Sequence, residues 1–287
     1  MWKFLGSSVV LSVEGADARR YLHNRLSNSI RDLAVGASVD AAALNAKGRV
    51  EALFVVSCTG EEKFLLCADG GDAEFVRDAL MRFAVADRVV CTDISERSVR
   101  AHTIDVIPGN CIPDVSSNKE RIADSGFDVV WFDRSYADIR IILEGAMGAE
   151  ASDREYFVAR WNRGVAVFPD EINSDMILTE SGMMNAVSFS KGCYVGQEVI
   201  ERSDAIGKLP RTLERIRLEP SPLVEVGAIV CKTDGTSIGK AVSCAHDTES
   251  DDILVFAMLG TGKYQLGESI TCADIRGIVL ETKGATI

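Results

Sequence analysis

The chain has few of the residue patterns that build metal sites or disulfide frameworks. Its eight cysteines include no C-x-x-C pair and are scattered over 287 residues, and its three histidines lie far apart without metal-ligand spacing. This pattern is typical of reduced thiols in a cytosol-like compartment rather than of a disulfide scaffold or a zinc site. The sequence therefore predicts no metal site, and we expect most cysteines to be buried as small apolar side chains.

Positive charge and long apolar runs are also scarce. Lysine and arginine number 31 against 43 acidic residues, which argues against direct nucleic-acid binding because phosphate neutralisation requires clustered cations. No apolar run is long enough to span a bilayer. The first residues favour a strand at 9–13 over a signal peptide. With 47% hydrophobic and 26% charged residues, the composition predicts a globular protein. The scattered cysteines and the short apolar runs predict that it is cytoplasmic and not associated with a membrane.

Apolar periodicity and capping residues predict helices in the first half of the chain. One helix is expected over about 17–28, and a second begins after Asp72. A third is marked by the start box of Ser152 and Glu155 and by the stop residue Gly164. The apolar face of the second helix is predicted to comprise Phe75, Val76, Ala79, Leu80 and Phe83.

Strand signals surround these helices and dominate the end of the chain. The segments VEALFVVSC and KFLLCAD predict a hairpin, and further strands are expected at RVVCTDI, VRAHTIDVI, DVVWFD and ADIRIIL, with a surface loop over 113–125. Beyond residue 210, short β-like runs follow at close spacing, and KTDGTS is typical of a hairpin turn. Residues 211–287 are therefore predicted to form a separate small β-barrel or sandwich.

The stretch SFSKGCYVGQEVIERSDAIGK, residues 188–208, concentrates the chemistry-bearing residues. A nucleophilic role for Cys193 is one interpretation, because a neighbouring lysine and a helix start favour a reactive thiol. The stretch contains no histidine to act as its base, so a small residue in a tight turn between two glycines is the favoured alternative for ordinary turnover. The spacing does not match a phosphate loop, and a single cysteine does not form a self-contained cluster site.

A shaped wall for an organic ligand is the remaining interpretation of this stretch. Its two glycines allow a close approach of the backbone, and Gln197 offers both a donor and an acceptor to the edge of a heteroaromatic ring such as a pterin. Lys191 and Arg202 are candidates to bind a carboxylate tail. An i,i+4 pair with Glu198 explains Arg202 equally well.

The octapeptide KGCYVGQE resembles the K-G-C-[YF]-x-G-Q-E signature of the YgfZ-type folate-binding proteins. These are relatives of the glycine-cleavage T protein, an aminomethyltransferase. Alanines stand at positions 46 and 166, where that family usually has proline. The resemblance covers nearly the whole chain, because further segments are similar to the family: VEGADARRYLHNRLSNSI, ALNAKGRVEAL, ARWNRGVAVFPDEI and SDAIGKLPRTL.

The resemblance implies an α+β, T protein-like fold. Two α+β subdomains over residues 1–210 and a C-terminal β-barrel over 211–287 would surround a central folate opening. The implied ligand is tetrahydrofolate or a one-carbon derivative. The candidate catalytic residue is Cys193. The implied ligand-binding residues are Lys191, Gly192, Tyr194, Gly196, Gln197, Glu198 and Arg202, with Lys47, Gly48 and Arg49 from a facing strand and Arg160 from a preceding helix.

Three functions follow from these observations. The favoured one is a tetrahydrofolate-binding protein that supports iron–sulfur cluster assembly or repair, with partners among radical tRNA-modifying enzymes. The second is a folate-dependent aminomethyltransferase or other one-carbon transferase. It is disfavoured because the acid motif of T proteins is not matched and Glu51, expected to be a solvent-facing strand residue, is the only acid of that region. The third is a direct tRNA binder that uses Lys208, Arg211, Arg215 and Arg217.

Overall fold

The structure is a computed structural model that describes residues 1–6, 8–103, 119–121, 128–132, 135–206 and 209–280. The chain divides into two compact units. Of the described residues, unit 1 comprises those within Met1–Ala151 and Asn185–Gln197, and unit 2 comprises those within Ser152–Met184 and 198–280. The predicted division at residue 210 lies immediately before the first barrel strand, and it does not coincide with the boundaries of these units. Across the described ranges, no helix combines the length and apolar character that crossing a bilayer requires.

Unit 1 contains two antiparallel sheets. Five strands pair in the order β3-β4-β5-β2-β6, and four pair in the order β1-β7-β9-β8. The predicted hairpin is confirmed as β4–β5. The strands are β1 (Trp2–Phe4), β2 (Val9–Glu14), β3 (Ser38–Leu44), β4 (Val50–Gly60), β5 (Lys63–Ala68), β6 (Val90–Asp93), β7 (Ser98–Thr103), β8 (Lys119–Arg121) and β9 (Asp128–Phe132), and the helices are α1 (Ala18–Arg25), α2 (Ala73–Met81) and α3 (Tyr136–Met147).

Helix α2 covers the five-stranded sheet with a narrower face than the sequence predicts. Its residues Val76, Ala79 and Leu80 are buried, but Phe75 and Phe83 are each 50% exposed, so the prediction that they belong to the buried face is wrong. The helix ends at Met81, before Phe83. Because the chain is no longer helical there, the i,i+7 spacing from Val76 does not place Phe83 against the sheet.

Helix α3 replaces a predicted strand. ADIRIIL is helical because Ser135 caps it, accepting from the backbone N–H of Asp138 at 3.1 Å. Ile139 and Leu143 then bury one face at i,i+4 spacing. Strand β8 lies inside the stretch predicted as a loop over 113–125, and the rest of that stretch is outside the described residues.

Unit 2 contains the predicted barrel. Its six strands close in the order β10-β13-β12-β11-β14-β15, and KTDGTS forms the β11–β12 hairpin. The predicted helix with its start box is also confirmed: Ser152 and Glu155 cap each other's backbone, and Gly164 ends the helix in a left-handed conformation. The elements are α4 (Asp153–Arg163), α5 (Gln197–Ile206), which starts at the last residue of unit 1, and β10 (Arg211–Leu218), β11 (Ile229–Lys232), β12 (Ser237–His246), β13 (Ile253–Gly260), β14 (Ser269–Cys272) and β15 (Ile275–Leu280).

Candidate functional site

The segment that enters the KGCYVGQE motif is fastened to the chain just after helix α1. Ser188 donates its backbone N–H to the carbonyl of Ser27 at 3.0 Å, and the Ser27 hydroxyl donates to the carbonyl of Ala186 at 2.5 Å. Asn28 donates its side-chain amide to the carbonyl of Asn185 at 2.7 Å. These bonds hold the segment that leads into the motif, and none of them involves a side chain of the motif itself.

Lys191 continues this attachment. Its ammonium donates to the backbone carbonyls of His23, of Leu26 at 2.5 Å and of Asn28 at 2.9 Å, and it lies 4.9 Å from the ring centroid of Tyr194. The carbonyls of His23 and Leu26 belong to the last turn and the C-cap of helix α1, where the helix dipole favours a cation, and Asn28 follows just beyond the helix. Because an ammonium has three protons and all three have protein acceptors, the structure gives Lys191 a role in holding the loop.

Burial lowers the pKa values of Lys191 and of its neighbour His23. Desolvation lowers the pKa of Lys191 to about 7, while its three carbonyl acceptors favour the charged form. The Nδ1 atom of His23 accepts from the backbone N–H groups of Ile30 at 3.2 Å and Arg31 at 3.3 Å, so the neutral ring carries its proton on Nε2. That buried Nε2 has no hydrogen-bond partner among the described residues. Burial lowers the pKa of His23, helped by the nearby positive charges of Lys191 and Arg31.

The second glycine of the motif packs against the turn between β3 and β4. Gly196 has a φ of 85°, and a Cβ placed there would lie 2.6 Å from the carbonyl oxygen of Asn45 and 3.1 Å from the Cα of Gly48. The Asn45 side chain shapes this turn by accepting from the backbone N–H groups of Lys47 at 2.9 Å and Arg49 at 3.2 Å. The structure thus brings the predicted KGR segment and the motif together through their backbones.

The first glycine and the cysteine form the open part of the motif. Gly192 and Cys193 are exposed, and a Cβ at Gly192 would meet no atom within 4 Å. After them, Gln197 closes a turn: its Oε1 accepts from the backbone N–H of Tyr194 at 3.3 Å, and its own N–H donates to the Tyr194 carbonyl at 3.2 Å. Among the cysteines that the structure describes, Cys193 alone is exposed.

The remaining predicted site residues divide between the two units. In unit 1, Lys47 is exposed and Arg49 is half-buried. In unit 2, Glu198 and Arg202 are both exposed, and no ion pair joins them. The i,i+4 pair that was the alternative explanation of Arg202 therefore does not form. Unit 1 contains Lys47, Gly48, Arg49, Lys191, Gly192, Cys193, Tyr194, Gly196 and Gln197, and unit 2 contains Arg160, Glu198 and Arg202.

Arg160 is buried inside unit 2. Its guanidinium donates to Glu171 at 2.9 Å and lies 5.1 Å from the ring centroid of Tyr156. Glu171 also accepts from the hydroxyl of Ser243 at 2.8 Å. The local contacts of Arg160 therefore stabilise the packing of helix α4 beside the barrel.

Glu51 differs from its predicted environment. It is 8% exposed and accepts from Arg25 at 3.0 Å and from Arg82 at 2.8 Å. The expectation of a solvent-facing residue is wrong because β4 is buried on both faces from Val50 to Leu53. Alternating side chains of this part of the strand therefore all point into the protein. No sequence signal identified Arg25, whose guanidinium reaches Glu51 from the end of helix α1.

Two residues of the basic run considered for tRNA binding are engaged within unit 2. Arg211 donates to the buried carboxylate of Glu180 at 3.0 Å. Arg215 donates to the backbone carbonyls of Trp161 at 2.9 Å and Asn162 at 2.8 Å. Lys208 lies outside the described residues.

The chain is similar in sequence to proteins from bacteria and mammals. It is 23% identical over 233 residues to the tRNA-modifying protein YgfZ of Escherichia coli, an alignment that covers 75% of this chain and 71% of that protein. It is 29% identical over 206 residues to a mitochondrial iron-sulfur cluster assembly factor of Mus musculus, covering 64% of this chain and 54% of that protein. A Haemophilus influenzae protein without a described function is 24% identical over 222 residues, an alignment that covers 76% of this chain and 74% of that protein.

The fold is also found in a solved structure. The glycine cleavage system aminomethyltransferase T of Bartonella henselae superposes with a TM-score of 0.82 at 15% identity, covering 99% of this chain and 85% of that one. This likeness confirms the predicted T protein-like fold. No protein-family model matches the chain.

Proposed function

We propose that this chain, a YgfZ-type relative of the aminomethyltransferases, binds tetrahydrofolate or a one-carbon derivative and supports iron–sulfur proteins, including enzymes that modify tRNA. One observation carries the proposal: the loop that presents the exposed Cys193 is fixed by Lys191 on three backbone carbonyls. An accessible thiol on a fixed loop suits transient contact with a metal cluster or with another thiol.

The folate part of the proposal rests on the open surface of the motif. The open space at Gly192 and the exposed backbone beside it leave room for a flat ring. The carboxylate tail requires a cation, and Lys47 is the candidate. Its ammonium is exposed and makes no ion pair with any residue that the structure describes, and it lies in the turn against which Gly196 packs. Lys191, by contrast, already has protein acceptors for its protons.

The iron–sulfur part of the proposal rests on the relatives and on the thiol. Similar proteins carry the names of a tRNA-modifying protein and of an iron-sulfur cluster assembly factor. A cluster would be cargo rather than a resident group, since no three His, Cys, Asp or Glu side chains of the described residues are grouped to hold a metal ion. Cys193 would then act on a partner's cluster or thiol.

The structure offers less support for the other two functions. Aminomethyl transfer requires an available acid, and Glu51 is buried between two guanidinium groups. Direct tRNA binding requires free cations, and Arg211 and Arg215 already contact unit 2 itself. These observations leave folate-linked support of iron–sulfur proteins as the best-supported function.

Calorimetric titration with tetrahydrofolate tests the folate part. We expect micromolar binding by the wild-type protein, weakened in Lys47→Gln and lost in Gln197→Ala. Gln265→Ala is the matched control, because it removes an exposed glutamine of the barrel. Thermal unfolding of the same samples separates a lost ligand contact from a lost fold. The absence of binding to the wild-type protein, or equal binding by both glutamine variants, would contradict the proposal.

A further inference from the structure

A second set of polar side chains lies on the outer face of the barrel, across β10, β15 and β14. Arg217 pairs in register with Ile278, which pairs on its other side with Ser269. Two residues before Ile278 on β15, Arg276 pairs with Thr271. Neighbouring residues of these strands, namely Ile216, Leu218, Ile270, Cys272 and Val279, are buried in the barrel core. Alternation therefore directs the four polar side chains, together with the apolar Ile278, outward.

These residues line a groove. Its volume is about 690 Å³, and Thr233, Glu219 and Asp252 complete its polar rim. Sites for small molecules typically have volumes of about 300–1,000 Å³. The groove therefore has the size of a ligand site, and it lies entirely within unit 2.

Arg217 lines this groove, and its guanidinium lies beside an aromatic ring. Its guanidinium lies 5.6 Å from the ring centroid of Trp161, and Trp161 is itself fixed by a hydrogen bond to the carbonyl of Val255 at 2.9 Å. No residue that the structure describes accepts a hydrogen bond from the buried Nε of Arg217. Arg215, which stacks on the same ring at 5.2 Å, instead donates to two backbone carbonyls. Of these two arginines, Arg217 is the one whose hydrogen bonds the described residues do not satisfy.

Arg276 is a second arginine that lines the groove. In the observed register it is the diagonal neighbour of Arg217, and such neighbours lie about 7–8 Å apart, within reach of long side chains. Neither arginine forms an ion pair with another residue that the structure describes. Two adjacent like charges repel each other unless an anion lies between them.

We propose that this groove binds a small phosphomonoester. The phosphate would lie between Arg217 and Arg276, where its several oxygens accept from both guanidiniums and from the neighbouring hydroxyls together. The organic part would cover Ile278, which is 40% exposed. The carboxylates of Glu219 and Asp252 at the rim disfavour an extended polyanion such as a nucleic-acid strand, so the ligand is a single small anion.

Titration of the full chain with phenyl phosphate at constant ionic strength tests this site. We expect saturable binding with a Kd of about 1 mM or tighter. Arg276→Gln, at an exposed position, should weaken binding about tenfold or more, because it removes one of two charged partners. Arg217→Gln should do the same. Lys240→Gln is the matched control, since it removes an exposed barrel charge outside the groove.

Each other outcome would overturn the proposal. No saturation by the wild-type protein would show that the groove is not a ligand site. Equal weakening by Lys240→Gln would show attraction to overall charge only, and tighter binding of benzoate than of phenyl phosphate would exclude the phosphate class. Thermal unfolding of Arg276→Gln guards against loss of the barrel, and a result from this variant stands even where Arg217→Gln fails to fold.

Discussion

Gly196 lies against the backbone of Asn45, and a Cβ at this glycine would be 2.6 Å from the Asn45 carbonyl oxygen. The second glycine of the motif is therefore required for packing within the protein, whereas Gly192 has open space around it. Gly196→Ala should lower the free energy of unfolding by about 2 kcal/mol or more, because φ is 85° and the contact is closed.

Gly192→Ala is the comparison variant. It should unfold like the wild-type protein and yet weaken tetrahydrofolate binding, because the added methyl group occupies the proposed ligand space. Denaturant unfolding and calorimetry on both variants separate the two roles. Equal destabilisation by both substitutions would show that the loop, not the closed contact, requires glycine.

The attachment of Lys191 to helix α1 predicts a large effect of its removal. Lys191→Met leaves three backbone carbonyls at and just beyond the helix end without their cation, and we expect a loss of about 3 kcal/mol in the free energy of unfolding. The rate of Cys193 alkylation in Lys191→Met should also differ from that in the wild-type protein, because the loop is no longer held. Lys47→Met, at an exposed lysine, should change stability by less than about 0.5 kcal/mol. A neutral Lys191→Met would contradict the fastening role.

The ion pairs of Glu51 predict that this carboxylate stabilises the fold. Glu51→Gln leaves the buried guanidinium of Arg25 uncompensated, which should cost about 3 kcal/mol of unfolding free energy. The control is Glu14→Gln, because the pair of Glu14 with Lys63 is exposed and contributes about 0.5 kcal/mol or less. Chemical denaturation measures both. A stable Glu51→Gln variant would reopen a chemical role for this acid.

His23 predicts a pH dependence with a definite sign. Its folded pKa lies below the ordinary value, so the unfolded chain binds the proton at a higher pH than the folded chain does. The stability contribution is therefore fully present above the unfolded pKa of about 6.5 and is lost as the pH falls below it. His23→Asn keeps an acceptor for the backbone N–H groups but does not titrate. Between pH 7 and pH 5 the urea midpoint of the wild-type protein should fall more than that of His23→Asn, and parallel curves would contradict this.

Local signals in the sequence predicted much of the fold. The capping residues of α4 and the closely spaced strands of the barrel act through the backbone near them, so they are visible in a single chain. The ADIRIIL segment was misassigned because its short apolar run fits a strand or a helix, and the distant Trp2 and Phe4 on which it packs decide between them.

The chemistry of the site was less visible, because it depends on partners far apart in the chain. Lys191 meets the end of helix α1 about 165 residues earlier, and Glu51 meets Arg25 across a buried sheet face. Residue types and spacing identified the motif and its exposed cysteine. They did not distinguish a cation that binds a ligand from one that holds a loop.

The most direct test of the proposed function is the role of Cys193. A radical iron–sulfur enzyme that thiolates tRNA would be matured with the wild-type protein or with Cys193→Ala, and its thiolated product measured. Since Cys193 is exposed, the variant should unfold like the wild-type protein and lose most of the stimulation, while Cys91→Ala should keep it. Full stimulation by a folded Cys193→Ala protein would contradict the account.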